Sequence, residues 1–371
     1  MRKKLDEVAE VTKLAGFEFT KYVKYIDDGE IIAIRALNLK NGRLVLDDIK
    51  RISKDVSEEL PRSQLHKYDI VISYTGTIGE SAQIMDEGRF HLAPNVAKVT
   101  PNTDVINPRY LFQYVRSREF KQQMLNYSHG STQPTIPMSV IRELMVPVFD
   151  IEVERKIASI LDDIDRKIEN NIAVNDNLFQ QAQAIFDSFF PDITSGDKTV
   201  GDYITPKRGK NLLSKDAVPG EVPVVAGGLE PATYHNQSNT TAPVLTVSAS
   251  GANAGFVNLW NIPVWSSDSS FIDSTMTKDV YFWYVLLKKR QQEIFDSQTG
   301  SAQPHIYPQH IAVMPLSDLN NKAVASYTAK VTPLFDMIGA NKRENICLAS
   351  VRDALLPKLM SGELDVSRLD I

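Results

Sequence analysis

One long stretch of the chain places apolar residues at alternating spacings of four and three: Ile157, Leu161, Ile164 and Ile168, then Asn171 and Asn175, then Leu178, Ala182, Ile185 and Phe189. A pattern sustained over more than four heptads predicts a long helix with a coiled-coil seam, not a short globular helix. Pro191 should stop it. Displaced by 170 positions the seam returns as Tyr327, Val331, Leu334, Ile338, Asn341, Asn345, Leu348, Arg352, Leu355 and Leu359. Arg352 is its one misfit, and Gly362 is a terminator just beyond. Thr332-Pro333 should either kink this second helix or begin it, with Thr332 as N-cap. Each seam carries its two asparagines at the midpoint. If the helices pair antiparallel, all four amides meet at one level, where they would fix register at a cost in stability. The alternative is that they lie on a wet edge.

The offset of 170 extends beyond the seam. Residues 110–136 and 280–306 align without a gap, with nine of 27 positions identical. The match includes Gly130-Ser131-Thr132-Gln133-Pro134 against Gly300-Ser301-Ala302-Gln303-Pro304. That period is far too long for a solenoid, so it means two whole domains in tandem. Upstream, Ile70-Val71-Ile72-Ser73-Tyr74-Thr75-Gly76-Thr77-Ile78-Gly79 has its counterpart in the run Val244 to Gly255. Each reads as a strand entering a tight glycine turn, and the glycine spacing differs by one residue between the copies. The aromatic run Tyr281 to Val285, aligned with Leu111 to Val115, is assigned to the core of each domain. The expected fold class is α+β: two similar globular α/β domains separated by two long antiparallel coiled-coil helices, with pseudo-twofold symmetry. The expected boundaries are 1–150, 151–192, 193–317 and 318–371, the last holding the second helix and a C-terminal tail. At 1.5 Å per residue each helix would be about 50 Å long.

Composition narrows the class. The 371 residues are 43% hydrophobic and 23% charged, which suits a soluble chain of two or three domains. No run approaches the roughly 18 apolar residues of a membrane span. The charged opening Met1 to Glu7 is no signal peptide, so the expected location is cytoplasmic, with no membrane partner. The lone Cys347 permits no internal disulfide, and the six histidines show no metal-ligand spacing on a helix face. Neither metal nor cofactor is expected. The net charge of -5 argues against nucleic acid until it is partitioned. Residues 151–192 carry four basic and nine acidic groups, whereas 1–150, 193–316 and 317–371 stand at +1, -1 and zero. The deficit therefore belongs to the first helix, whose acidic face suits either a docking surface or plain solvation. Nearly neutral domains imply modest DNA affinity for the isolated chain.

No catalytic constellation emerges. There is no Gly-x-x-x-x-Gly-Lys phosphate loop. Asn107-Pro108-Arg109-Tyr110 approaches the Asn-Pro-Pro-Tyr motif of amino-methyltransferases, but Arg109 replaces the second proline and no glycine-rich cofactor motif precedes it. A proline turn opening a helix is the simpler reading. Asp192 and Asp197-Lys198 lack the spacing of a nuclease centre, and Asp192 suits a loop after the helix.

The residues carry a resemblance. Tyr74-Thr75-Gly76-Thr77-Ile78-Gly79, Gly130-Ser131-Thr132-Gln133-Pro134-Thr135-Ile136, and Val146-Pro147 ahead of Arg155-Lys156-Ile157-Ala158 are its first carriers. Asn345 to Leu348, Arg352 to Leu359 and Ser361-Gly362-Glu363-Leu364 complete it. In this combination the chain resembles, over nearly its whole length, the DNA specificity subunit of type I restriction–modification systems. The resemblance implies two target-recognition domains reading the halves of a split double-stranded DNA site. It implies helices that set their separation and dock two DNA-adenine methyltransferase subunits, with restriction (motor-nuclease) subunits joining the assembly. Ala302 in place of Thr132, the longer second glycine turn and Arg352 on the seam depart from equivalence of the copies.

Base edges are read by paired donors and acceptors, and phosphates by hydroxyls and turn amides. Candidates in the first copy are Tyr74, Thr75, Gly76 and Thr77 with His129, Gly130, Ser131, Thr132 and Gln133. In the second they are Ser250, Gly251 and Asn253 with Gly300, Ser301, Gln303 and His305. The basic cluster Lys207, Arg208 and Lys210 and the run Tyr234, His235, Asn236 join them. The pentapeptides could equally be capped structural turns. Helix register is assigned to Asn171, Asn175, Asn341 and Asn345. Two alternatives stand beside the multi-subunit reading: a specificity polypeptide serving a single-chain restriction–methylation enzyme, and a two-lobed protein-recruiting adaptor without DNA readout.

Overall fold

The computed structural model describes residues 1–128, 134–300 and 303–369. The chain forms two compact units, Met1–Ile168 with Ile346–Ile371, and Glu169–Asn345, so each takes half of both long helices.

The first unit is built on a four-stranded antiparallel sheet in the order Ala9–Lys13, Val96–Pro101, Ile70–Ser73, Ser81–Gln83. Ile70-Val71-Ile72 is β-branched throughout and fully buried, as a central strand covered on both faces should be. A second sheet runs Lys50–Ile52, Ile31–Ile34, Phe90–Leu92, Gln64–Leu65, with its two inner strands parallel. Arg2–Lys4 pairs with Met145–Pro147, the strand that leads into the first long helix. The core behind the first sheet gathers Tyr110, Tyr114, Phe120 and Met124 from the helices Pro108–Val115 and Arg118–Asn126. Asn107 caps the first of these, accepting from the Arg109 and Tyr110 amides, with Pro108 as its opening residue. Tyr110 is fully buried and donates its hydroxyl to the Pro147 carbonyl at 2.9 Å, so this tetrapeptide is a helix start and not a base-stacking motif.

The second unit repeats the plan. Its antiparallel sheet runs Lys207–Arg208, Ser269–Asp273, Val244–Ser248, Val257–Trp260. A smaller sheet runs Thr233–His235, Val222–Val225, Trp265–Ser266, again with one parallel pair. Lys198–Thr199 pairs with Pro315–Leu316 as Arg2–Lys4 does with Met145–Pro147. The duplication therefore reaches the sheets, where sequence identity had faded. Phe186, Phe282, Tyr327 and Phe190 form an aromatic core in which Phe186 and Tyr327 meet edge-on at 5.4 Å. Tyr281, Phe282, Trp283 and Val285 are buried there, as the aromatic run requires.

The long helices span Ile151–Phe189 and Asn321–Ser361, and so begin 170 positions apart. Every residue of both predicted seams is buried or half-buried, Arg352 included. The second helix runs through Thr332-Pro333 without a break, so it does not begin there. Thr332 donates its hydroxyl back to the Thr328 carbonyl at 2.7 Å, one turn earlier. Gly362 at φ +77 ends it, with the Gly362 amide on the Leu359 carbonyl. In the second unit the helices run antiparallel: Asn171 Nδ2 donates to Asn345 Oδ1 and Asn341 Nδ2 to Asn175 Oδ1, both at 2.8 Å. In the first unit Ile157, Ala158 and Leu161 share a core with Leu356, Leu359 and Met360.

Part of the acidity of the first helix is answered inside each unit. Asp162 binds Arg109 at 2.8 Å, Asp165 lies between Arg116 and Arg352, and Asp187 binds Lys289 at 2.7 Å. Glu154 is buried, its carboxylate accepting the Asn107 and Phe149 amides. Asp162, Asp165 and Glu154 thus face inward, whereas Glu152, Asp163 and Asp176 are exposed.

Candidate nucleic-acid interface

The glycine turn and the pentapeptide loop, 50 and more residues apart in sequence, meet in both copies. In the first, the Gly76 amide donates to the Pro134 carbonyl at 3.0 Å and the Ile136 amide to the Tyr74 carbonyl at 3.0 Å. The Thr75 and Thr135 hydroxyls hydrogen-bond at 2.9 Å across this bridge. In the second, the Gly251 amide donates to Pro304 at 3.1 Å and the Ile306 amide to Ala249 at 2.9 Å, with Ser250 opposite His305. Tyr74, Thr75 and Gly76 thus correspond to Ala249, Ser250 and Gly251.

The one-residue difference is confined to the tip. Gly79 closes the first turn onto the Ser73 carbonyl and Gly255 closes the second onto Ser248, so the extra residue lies between the closing bonds. Gly76 and Gly251 hold φ near +80, and a Cβ on either would meet nothing within 4 Å. Glycine is needed there for its backbone and leaves open space above the turn.

A helix lysine supports each turn. Lys121 binds Glu80, the residue after the closing glycine, at 2.9 Å, and the Asn41 amide donates to the other Glu80 oxygen at 2.9 Å. Burial pushes the Glu80 carboxyl up, but Lys121 and the Asn41 amide outweigh it and leave it below the usual range. In the second copy Phe256 replaces Glu80, and Lys288 lies 4.2 Å over its ring while donating to the Val257 carbonyl at 3.2 Å. Lys13 stands 5.5 Å over the Tyr74 ring.

Sequence reasoning missed these supports, and it missed the hairpin Leu39–Lys40 with Arg43–Leu44 that lies beside Thr77 and Lys121 across a shallow pocket. The Asn41-Gly42 dipeptide at its tip, both residues at positive φ, was the available signal. Lys40 and Asn41 are exposed there.

The other candidates are distributed as follows. Thr77 is exposed at the first tip, and Asn253 is half-buried in the second turn. Gly300, at φ +92, would bring a Cβ to 2.7 Å from the Gln303 carbonyl. His305 Nδ1 lies 2.7 Å from the Gln303 carbonyl oxygen, and its ring stacks on Tyr307 with centroids 6.0 Å apart. Lys207 and Arg208 are exposed on an edge strand, with Lys210 exposed just after it. Arg208 binds Asp268 at 2.5 Å, and the Ser250 hydroxyl donates to the same carboxylate, so this edge is tied to the turn. Tyr234 is exposed on the smaller sheet, and Asn236 is exposed just beyond the end of its strand. His235 is different: it is buried, accepts the Val218 amide on Nδ1 at 3.0 Å and meets Trp265 edge-on at 5.1 Å. It packs the domain and presents no face to a ligand, because strand alternation turns it inward between Tyr234 and Asn236. His129, Gly130, Ser131, Thr132, Gln133 and Ser301 lie outside the described residues.

Among the described residues no three His, Cys, Asp or Glu side chains gather as a metal site, and no helix is long and apolar enough to cross a membrane. Each turn presents a glycine tip with open space above it and lysines close by, which is chemistry for contacting a polyanion.

Comparison with known proteins finds one set of relatives. The family model for the type I restriction modification DNA specificity domain matches residues 1–178. The specificity subunit of the type I restriction enzyme MjaIX from Methanocaldococcus jannaschii is 25% identical over 320 residues, covering 73% of this chain and 72% of that protein. The EcoBI specificity subunit from Escherichia coli is 24% identical over 205 residues, covering 51% of this chain and 43% of that protein. The crystal structure of a type I restriction–modification S subunit from M. genitalium shares the fold at a TM-score of 0.55 and 17% identity, over 97% of this chain and 95% of that one. In sequence and in fold, the chain resembles the DNA specificity subunits of type I restriction–modification systems.

Proposed function

We propose that this chain is a non-catalytic specificity subunit that reads a bipartite site in double-stranded DNA and brings DNA-adenine methyltransferase and restriction subunits to it. Residues 1–150 and 193–317 are the two target-recognition domains, and 151–192 and 318–371 supply the helices. The observation that carries the reading is the glycine turn bridged to the pentapeptide loop, built twice on one sheet topology. A catalyst would need one constellation of reactive groups. A reader of a split site needs two equivalent contact surfaces whose tips differ, and this chain has that pattern.

In each copy the tip contacts bases and phosphates: Tyr74 to Thr77 and His129 to Gln133 in the first, Ser250, Gly251, Asn253, Gly300, Ser301, Gln303 and His305 in the second. Lys207, Arg208 and Lys210 serve the phosphates, with Tyr234 and Asn236 beside them. Asn171, Asn175, Asn341 and Asn345 hold the helix register. Single-molecule methylome sequencing of cells with and without the gene tests the proposal. A split adenine mark should vanish on deletion; an unchanged methylome would sink the reading and favour a protein-recruiting adaptor.

A further inference from the structure

The asparagines set the level at which the helices pair but say little about the partner. Both helices carry asparagine at the same two seam positions, so the amide pair Asn171–Asn345 could form equally as Asn171–Asn175 of a second molecule, losing only the Asn171 bond to Glu344, where the first helix has Val174. A tandem repeat therefore has a second option: each helix could pair with its own counterpart in another copy of the chain.

Further along the seam, the two copies differ. In the first unit Asp165 lies between Arg116 and Arg352, 3.0 Å from Arg352 Nη1, and accepts Gln113 Nε2 at 3.0 Å. These three charged side chains are only 13%, 14% and 18% exposed for Arg116, Asp165 and Arg352. At the equivalent positions the second unit has Leu286 for Arg116, Phe335 for Asp165, Ala182 for Arg352 and Trp283 for Gln113. All four belong to one apolar core, with Phe335 stacked on Tyr281 at 4.5 Å and 9°. The same layer is thus written once in charge and once in aromatic rings.

Like-with-like pairing would spoil both versions. Two first helices would set Asp165 against Ala182 and take one arginine from the buried carboxylate. Two second helices would drive the Arg352 guanidinium against Phe335 and Leu286, leaving it only its exposed own-helix neighbour Asp353 at 2.8 Å and no Asp165 across the pair. A buried charge deprived of its partner is strongly unfavourable. We propose that Arg116–Asp165–Arg352 and its apolar counterpart Leu286–Phe335–Ala182 form a pairing code that enforces first-with-second helix pairing and rejects like-with-like association with a second copy of this chain. Arg352, the misfit of the seam, is its discriminating residue.

The test uses two pools of full-length chain with different affinity tags, refolded together and purified through both tags in turn. Wild type should yield little doubly tagged protein. R352A removes the charge that forbids second-with-second pairing, and its doubly tagged fraction should rise by about tenfold or more, the effect of a modest free-energy bias. R116L also takes one arginine from Asp165 but leaves Arg352 in place, so it should lose thermal stability like R352A and stay at the wild-type fraction. The triple variant R116L/D165F/R352A, with the second copy's layer in both places, should associate as R352A does. R352A at the wild-type fraction would overturn the proposal. So would R116L associating as much as R352A, since mere loosening would then explain both. If the triple variant does not fold, the comparison of R352A with R116L decides alone.

Discussion

Asn171 donates its side-chain amide to Asn345 at 2.8 Å, and also to Glu344 at 2.7 Å, in the middle of two otherwise apolar seams. A slip of the helices would set these amides against aliphatic side chains. Asn171→Leu should therefore lose about 1–3 kcal/mol, the cost of leaving a polar partner unsatisfied. The double variant N171L/N345L should regain much of it, and urea denaturation of the four proteins in the cycle would show a coupling energy. Additive losses would mean that the pair does not act as a unit.

Gly76→Val places a β-branched residue at φ +77, a conformation that costs at least about 1–2 kcal/mol for an L-residue, with open space around its Cβ. The protein should stay folded and lose affinity only for duplexes whose first half-site is intact. Gly251→Val should mirror this at the second half-site. Binding to duplexes altered in one half at a time separates the two outcomes; equal loss at both halves would contradict independent readers.

Asp165→Ala leaves Arg116 and Arg352 buried beside each other without their carboxylate. A loss of about 3–5 kcal/mol is expected, typical of breaking a buried ion pair from one side. The exposed pair Arg89–Asp86 is the internal control, for which Asp86→Ala should cost about 0–1 kcal/mol.

Burial raises the Glu154 carboxyl to about 7, against the pull of the Asn107 and Phe149 amides that donate to it. A carboxyl raised above its ordinary value favours the folded state most when protonated. Its contribution is full below about 4.5 and is lost as pH rises through about 7. Glu154→Gln should therefore flatten the fall of the melting temperature across that window. An unchanged pH slope would show that Glu154 does not titrate there.

Removing one heptad from each long helix shortens the pair by about 10 Å, the length of about three base pairs. Methylation by the shortened protein should keep both half-site sequences and change only the gap between them. A change within the half-sites would refute the spacing role.

The seams were legible because one rule, the 3.5-residue repeat, acts along each helix and depends on no distant residue. Even Arg352 announced itself as an exception. Its answer, Asp165 on the other helix with Arg116 from the domain, was invisible because three distant segments supply it. The same holds at the interface. The glycine turn and the pentapeptide were each readable, but their bridge through Gly76 and Pro134 joins segments with no pattern in common. His235 was misread because its neighbours Tyr234 and Asn236 share its polarity, and only strand alternation separates them.

The glycine turns close behind their tips: Gly79 returns to Ser73 and Gly255 to Ser248, and the extra residue sits within the loop those bonds close. Length at the tip is therefore uncoupled from the register of every strand beneath it. A lineage carrying this frame can lengthen or shorten one tip without refolding the domain beneath it.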